Sequence, residues 1–483
     1  MRDTELNKKL LYYAGFEGQD VDEFLPKWLE AADALHLTEE QIRHAVDEYI
    51  PQCWDIQYRG VRKLIGALIH ELVDITQTHK LKAEGKPILY GILPTIMAPY
   101  NAIKKAAGPD SYVGFPDALL VMCLNSVFDA AGPIMTLAEE NGFTYGCRHC
   151  PLNKVRYAGY LSKIFAAPDI IWSYGLICDE GPHTDQMIQG LLGEEWEYVV
   201  TRLMHDQKWG NKEDENEERI EYLASILKRD MDRICDKIGV HPGPEHYAAA
   251  VEESNRVMWK SAMLNGMVAS ADPAPLRAFE GGIAQIGFGV VCNNGLKYFE
   301  EAIDILTEEV KEAIEKGVGV APKGATRVGS YYTPMNLPWV DKMFLDNGVI
   351  TVMSEMSAPT ERLMRAPRYE DPYKAFAEIW LKGSTGVNFG YEIEDQAEKV
   401  LNSKVDGMYM GFFDFDRWLG AHQKMMAELV EKKTGVPHFY IEADFWDDRD
   451  YGEESLRTRI ESICEVIKMK KAQREATEAE KGA

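Results

Sequence analysis

The chain has 483 residues, 46% of them hydrophobic and 10% aromatic, and carries a formal charge of −25 at pH 7. That length calls for two or three domains rather than one simple core. The acidic balance argues against a nucleic-acid groove, which needs a concentrated positive field, but it leaves room for an anionic small molecule held by a local basic pocket or a helix amino terminus.

The first stretch, MRDTELNKKLLYYAG, is charged and lacks a signal-peptide core, so the expected location is the cytoplasm. Residues 1–84 read as a helical N-terminal region. WLEAADALHL, TEEQIRHAVDEYI and YRGVRKLIGALIHELVDITQTH space apolar residues three and four apart, with Thr38 capping ahead of Glu39 and Glu40. His36, His44 and His70 lie along these helices and are given no chemical role. At Gly85 the pattern changes. KPILYGILPT is an apolar run of buried-strand length, followed by Pro94, Thr95 and a helical segment, MAPYNAIKKAAG. A strand, a turn and a helix open a parallel α/β unit. SYVGFPDALLVMCLNSVF continues it, DIIWSYGLI supplies another strand, and EEWEYVVTRL a further one, giving an α/β domain over 85–210.

The charge run NKEDENEERIE opens a helical segment, 211–320. Within it FEEAIDILTEEVKEAIEKG sets Phe299, Ile303, Leu306, Val310 and Ile314 on one face and stops at Gly317. Asn255, Arg256 and Lys260 in the same segment read as solvated groups on the outside of a helix. RVGSYYT, NGVITVMSEM, DGMYMGFF and GVPHFYIEAD then repeat the α/β rhythm over 321–465, and the charged end, 466–483, reads as frayed helix or disorder. The expected fold class is therefore α/β, with two doubly wound parallel-sheet domains, a helical N-terminal region and a helical middle segment. The apolar runs at 118–128 and 281–296 fall short of the ~20 residues a membrane span needs, so no membrane partner is expected.

Eight cysteines scattered along a cytosolic chain are not a disulfide framework. Cys53, Cys123, Cys235, Cys292 and Cys464 lie in apolar or helical contexts and read as packing residues. Cys147 and Cys150 are different. They form a C-x2-C pair, and Cys178 closes the apolar run DIIWSYGLI, where a strand stops at the carboxyl edge of a sheet. Thiolates two residues apart can face one metal or one cluster. Three cysteines leave one ligand unassigned, so a zinc knuckle completed by His149 or His183, a redox pair and unrelated thiols all stay open beside an iron–sulfur cluster. Asp447, Asp448 and Asp450 form an acidic loop read as structural, pairing with Arg449 or Arg457.

Three stretches carry a resemblance: GFPDALLVMC…AAGPIMTLAEENGF…C, APDIIWSYGLIC, and VDGMYMGFF…WLGAHQKMMAELVEKKTGVPHFYIEADFWDDRDYGEESLRTRIES. Together, over about 85–465, they resemble the 2-hydroxyacyl-CoA dehydratase and benzoyl-CoA reductase family. The resemblance implies paired α/β domains holding a [4Fe–4S] cluster by three cysteines. Two match Cys150 and Cys178. The third falls before the helix WLGAHQKMMAELVEKK, where this chain has Asp414, Phe415 and Asp416, so Cys147, or Asp414 or Asp416, would have to take its place or the cluster is lost. The resemblance further implies an acyl-CoA substrate, a paralogous second subunit in a heterodimer, and an ATP-hydrolysing iron–sulfur activator. The activity expected is radical dehydration of a 2-hydroxyacyl-CoA, in which one electron on the thioester carbonyl expels the 2-hydroxyl group and acidifies the β-proton. Aromatic reduction of the benzoyl-CoA type and a non-catalytic or zinc-bearing paralogue are the alternatives. The family's hydroxyl-bearing turn after the first strand corresponds to ILPTIMAPYNA, which makes Thr95 and Asn101 the candidate substrate contacts; a turn threonine capping the next helix is the competing reading.

Overall fold

Parallel strands covered on both faces read as unbroken apolar runs, and each run read above as a strand is one. In the computed structural model of the chain, which describes residues 2–92, 97–143, 149–174, 180–202, 217–283, 293–331, 337–354, 358–362, 364–383, 389–412, 417–442, 447, 449 and 452–482, two four-stranded parallel sheets are formed. The first contains β1 (Ile88–Ile92), β2 (Tyr112–Gly114), β3 (Ile170–Tyr174) and β4 (Glu197–Thr201) in the order β2-β1-β3-β4. The second contains β5 (Thr326–Tyr331), β6 (Val349–Ser354), β7 (Gly407–Phe412) and β8 (His438–Glu442) in the order β6-β5-β7-β8. Tyr90 lies between Gly114 and Ile171, and Ser330 between Ser354 and Tyr409. In each sheet the chain runs outward from the first strand and then returns to its other side. This creates a switch point between β1 and β3 and another between β5 and β7, and the crevice outside such strand ends is where open α/β sheets take ligands.

The amino-terminal helices are built into the same core as the first sheet. Trp28, Leu64, Tyr90, Trp172 and Leu306 belong to one continuous buried cluster. The Arg59–Thr76 and Lys297–Lys316 helices cross so closely that a Cβ at Gly60 would fall on the Leu306 backbone. On the Lys297–Lys316 helix Phe299, Ile303, Leu306 and Val310 are buried as expected, but Ile314 is exposed and Ala313 takes its place. A 3.6-residue turn carries the buried stripe from 310 to 313 rather than to 314. Thr38 caps its helix reciprocally with Gln41, through bonds of 3.1 and 2.9 Å. His70 stacks on Tyr298 at 3.9 Å, and burial lowers its pKa to about 4, so it packs as a neutral ring.

A smaller core of Val328, Phe344, Tyr409, Ile460, Cys464 and Ile467 lies under the second sheet. It is closed by a helix running from Glu453 to Gly482. The charged end expected as frayed helix or disorder is the exposed continuation of that helix. Its first part is tethered: Lys471 Nζ donates to the Gly324 carbonyl at 2.8 Å, and Arg474 pairs with Asp406. Cys53, Cys123, Cys235 and Cys464 are buried, outside any disulfide, and Cys292 lies outside the described residues. Burial pushes the Cys53, Cys235 and Cys464 thiols up to about 12, as packing residues require. Among the described residues no helix is long and apolar enough to cross a membrane.

Candidate functional site

The Pro151–Leu161 helix begins at Cys150, which holds an extended backbone (φ −53°, ψ 131°) ahead of Pro151. Proline at the first helical position needs no N–H partner and presets the turn. The Cys150 amide donates to Glu180 Oε1 at 2.7 Å, and Glu180 opens the Glu180–Leu192 helix that follows β3. His149 Nδ1 lies 3.3 Å from the same oxygen, with its ring against Phe143. One carboxylate oxygen therefore ties the start of the Cys150 helix to the start of the helix after β3. The other oxygen, Glu180 Oε2, is buried and has no hydrogen-bond partner among the described residues.

Under this contact sits Arg156, one turn and a half along the Cys150 helix and 1% exposed. Its Nη1 donates to Asp117 Oδ2 at 3.2 Å and its Nη2 to Asn153 Oδ1 at 2.8 Å and the Gly181 carbonyl at 3.4 Å. Its Nε lies 3.9 Å from Asp185 Oδ1. The second oxygen of Asp185 accepts from Trp196 Nε1 and Gln189 Nε2. Burial opposes the guanidinium charge, but Asp117 and Asp185 outweigh it and hold the pKa of Arg156 above its usual value. Burial pushes both carboxyls upward against that attraction. One cation between two anions thus clamps the Pro116–Cys123, Pro151–Leu161 and Glu180–Leu192 helices together.

A second ionic group joins the two sheets' regions. Arg449, after β8, places Nη1 3.0 Å from Glu139 Oε2 and from Thr136 Oγ1, and Nη2 2.8 Å from Glu139 Oε1. Asp447 accepts from Arg449 Nε at 2.8 Å and Nη2 at 2.6 Å, while Lys154 of the Cys150 helix donates to Glu139 at 2.8 Å. Burial opposes ionisation of Glu139, yet Arg449 and Lys154 hold its pKa below the carboxylate norm. The expected pairing of Asp447 with Arg449 is present, but its extension to Glu139 has no local sign in the sequence. Asp448 and Asp450 lie outside the described residues. In the second sheet's region His422 Nε2 is 3.0 Å from Glu392, which also accepts from Tyr331 Oη at 3.3 Å at the end of β5. That buried pair was likewise missed, because nothing local marks it.

Of the candidate site residues, Cys150 is placed in this constellation, and Cys147, Cys178, Thr95, Asp414 and Asp416 lie outside the described residues. Asn101 is 2% exposed on the Ala98–Ala107 helix that follows β1, and neither its Oδ1 nor its Nδ2 has a partner among the described residues. His183 is exposed on the first turn after Glu180. Arg256 and Lys260 pair with Glu300 on the outside of the molecule, at 2.7 and 2.8 Å. Among the described residues no three His, Cys, Asp or Glu side chains converge to hold a metal. Cys150, a buried thiol at the head of a helix, is of the donor type the implied group takes, and its amide is bonded to Glu180, whose second oxygen is buried without a partner among the described residues.

Two doubly wound parallel sheets, with the Cys150 amide and the Glu180 carboxylate meeting at the heads of two helices of the first sheet's region, define a two-lobed α/β protein of the ligand-at-strand-ends kind. The chain belongs to the 2-hydroxyglutaryl-CoA dehydratase D-component family, whose model matches residues 119–467. It is similar to a benzoyl-CoA reductase subunit of Thauera aromatica, 26% identical over 211 residues, a match covering 41% of this chain and 49% of that relative. It is also similar to the (R)-2-hydroxyisocaproyl-CoA dehydratase alpha subunit of Clostridioides difficile, 21% identical over 344 residues, covering 69% of this chain and 81% of the relative. The chain thus spans about half the length of the first of these relatives and four-fifths of the second.

Proposed function

We propose that the chain is the iron–sulfur subunit of an ATP-dependent reductive acyl-CoA enzyme, removing water from a 2-hydroxyacyl-CoA to give a 2-enoyl-CoA. The observation that carries this reading is the Cys150 amide bond to Glu180. It holds Cys150 against Glu180, two positions after Cys178 in the sequence, in a chain whose relatives are named for acyl-CoA substrates. A [4Fe–4S] cluster held by Cys147, Cys150 and Cys178 supplies, when bound, single low-potential electrons and a Lewis-acidic iron. Dehydration is redox-neutral overall, so the electron acts as a catalyst and an ATP-hydrolysing activator need supply it only occasionally. The chain's own residues hold and shield. Glu180 fixes Cys150, Arg156 fixes the helices behind it, and the Arg449–Glu139 bridge closes the second lobe toward the first. Asn101, buried with an unused amide, and Thr95 are the proposed contacts to the acyl oxygen. A paralogous partner completes the enzyme; both relatives are named as subunits.

Reduction of an aromatic acyl-CoA is the second reading, favoured by the match to the benzoyl-CoA reductase of Thauera aromatica. A zinc-bearing or metal-free paralogue is the third, favoured by Asp414-Phe415-Asp416 where the family has its third cysteine. Anaerobic assays with activator, ATP and a panel of 2-hydroxyacyl-CoA and benzoyl-CoA thioesters separate the first two. Enoyl-CoA formation supports dehydration, and loss of aromatic absorbance without it supports ring reduction.

A further inference from the structure

We infer that Asp55, Arg277, Glu280 and Asp341 form a proton-loaded latch, which holds the middle segment to both the amino-terminal helices and the second lobe and grips more tightly as pH falls below neutral. The four residues come from three parts of the chain. Asp55 lies between the Ile50–Cys53 and Arg59–Thr76 helices, Arg277 and Glu280 lie in the middle segment, and Asp341 is on the Pro338–Asp346 helix beyond β5. Arg277 Nη2 is 3.1 Å from Glu280 Oε1 and 3.6 Å from Asp55 Oδ1, and its Nη1 is 3.6 Å from Asp341 Oδ2. Nη2 also donates to the Cys53 carbonyl, and the Asp55 amide donates to Glu280 Oε1 at 3.1 Å. Trp54 sits edge-on to Phe279 beside them, with ring centroids 4.8 Å apart.

Fully ionised, this cluster would set one guanidinium against three carboxylates. Arg277, Glu280 and Asp341 are 3%, 0% and 5% exposed, so water does not screen the excess. Among the described residues no three carboxyls converge as the donors of a metal. A buried acid without a counter-charge keeps its proton instead. Glu280 is the place for that proton. Both donors it meets lie on Oε1, while Oε2 is buried without a hydrogen bond among the described residues, as are Asp55 Oδ2 and Asp341 Oδ2. A proton on Glu280 removes one negative charge and adds a donor to a cluster short of donors. Burial raises the Glu280 carboxyl from 4.5 to about 8 against the pull of Arg277, and Asp55 and Asp341 push the same way as burial. Burial raises Asp341 as well, and a hydrogen bond from Thr351 on β6 works against it. Of the other titratable groups facing the cluster, the Cys53 thiol is pushed up to about 12 by burial, and Tyr58 and Tyr409 are raised too, so all three stay neutral. Lys342 and Asp129 act on Cys53 with opposite signs. When the latch opens, Glu280 becomes an ordinary carboxyl and ionises, so closing takes up a proton. Its contribution is complete below the unfolded pKa and is lost as pH rises through the folded one; in between, opening grows roughly tenfold per pH unit.

Hydrogen–deuterium exchange of the full-length protein, read by mass spectrometry at pH 5.5 and 7.5 and corrected for the intrinsic rate, tests the latch in peptides covering 271–283 and 338–346. The wild type is compared with Glu280→Gln, Asp341→Asn and Glu71→Gln. Glutamine at 280 keeps an oxygen for the Asp55 amide but cannot ionise. Asp341→Asn removes one of the charges Glu280 faces, and Glu71→Gln removes a raised carboxyl outside the cluster. Circular dichroism at each pH checks that every variant is folded. Corrected exchange in both peptides is expected to rise roughly tenfold or more in the wild type and Glu71→Gln, less in Asp341→Asn, and by under about threefold in Glu280→Gln. A wild-type rise under about threefold, or one that persists undiminished in Glu280→Gln, overturns the inference. Where Glu280→Gln does not fold, an undiminished rise in Asp341→Asn overturns it.

Discussion

Arg156→Met removes the buried cation that joins the Cys150 helix to the helix after β3. The native guanidinium is 1% exposed and lies between Asp117 and Asp185, themselves 1% and 0% exposed. Breaking a buried pair by deleting one partner costs about 3–5 kcal/mol, mostly because the surviving charge stays buried. Here two carboxylates survive, and bonds to Asn153 and the Gly181 carbonyl are lost with them, so the upper half of that range is expected at pH 7. The pH dependence has a definite sign. Burial already raises both carboxyls above their ordinary value of 3.8, and removing Arg156 raises them further. A raised carboxyl contributes full stability below its unfolded pKa and loses it as pH rises through the folded one. The deficit of the variant is therefore largest at neutral pH and narrows toward pH 5. Urea denaturation followed by circular dichroism at the two pH values measures it, and adding Asp117→Asn should restore part of the loss. A destabilisation under about 1 kcal/mol, well below the cost of an unpaired buried charge, or one equal at both pH values, refutes the clamp. Metal content should fall in parallel, since the clamp supports the two helices that begin at Cys150 and Glu180.

The bridge between the lobes should behave as one unit: a double-mutant cycle of Glu139→Gln and Arg449→Met, read by denaturation midpoints, is expected to give a coupling of about 1–3 kcal/mol, and additive effects would contradict the geometry. Since Glu139's pKa is depressed, its contribution is present above the unfolded carboxylate pKa and is lost as pH falls through the folded one. Glu71 has the opposite sign. Burial, with Asp74 beside it, raises its pKa from 4.5 to about 8, so stability is lost as pH climbs across that window, and Glu71→Gln should flatten the thermal midpoint there. An unchanged slope would show that another group titrates. Asn101→Ala should leave the thermal midpoint nearly unchanged, because no bond is lost, while raising KM for the acyl-CoA; a shift in stability with unaltered KM would make Asn101 structural.

Most of the scaffold was legible in the sequence. The apolar runs around Tyr90, Ile171, Val328 and Met410 are strands because parallel strands buried on both faces leave no room for polar positions. The cap at Thr38, though not its reciprocal bond with Gln41, and the pairing of Asp447 with Arg449 were legible because the partners lie three and two residues away. The ionic architecture of the site was not. Arg156 and Glu180 look like solvated helix charges, and only the fold reveals that Arg156 is buried against Asp117, 39 positions away, and that Arg449 meets Glu139 across 310. Glu180 carried one faint sign, its place just beyond Cys178. The end of the chain, read as frayed helix or disorder, is the exposed continuation of a helix anchored by Cys464 and Ile467 under the second sheet and by Lys471 on the Gly324 carbonyl, contacts the local composition does not announce.

Anaerobic metal and sulfide analysis of the wild type beside Cys147→Ser, Cys150→Ser and Cys178→Ser tests the central claim most directly. About four irons and four sulfides per wild-type chain, lost or sharply reduced in each serine variant, are expected. Zinc in place of iron, no metal at all, or full iron content in the Cys150→Ser and Cys178→Ser proteins would contradict it.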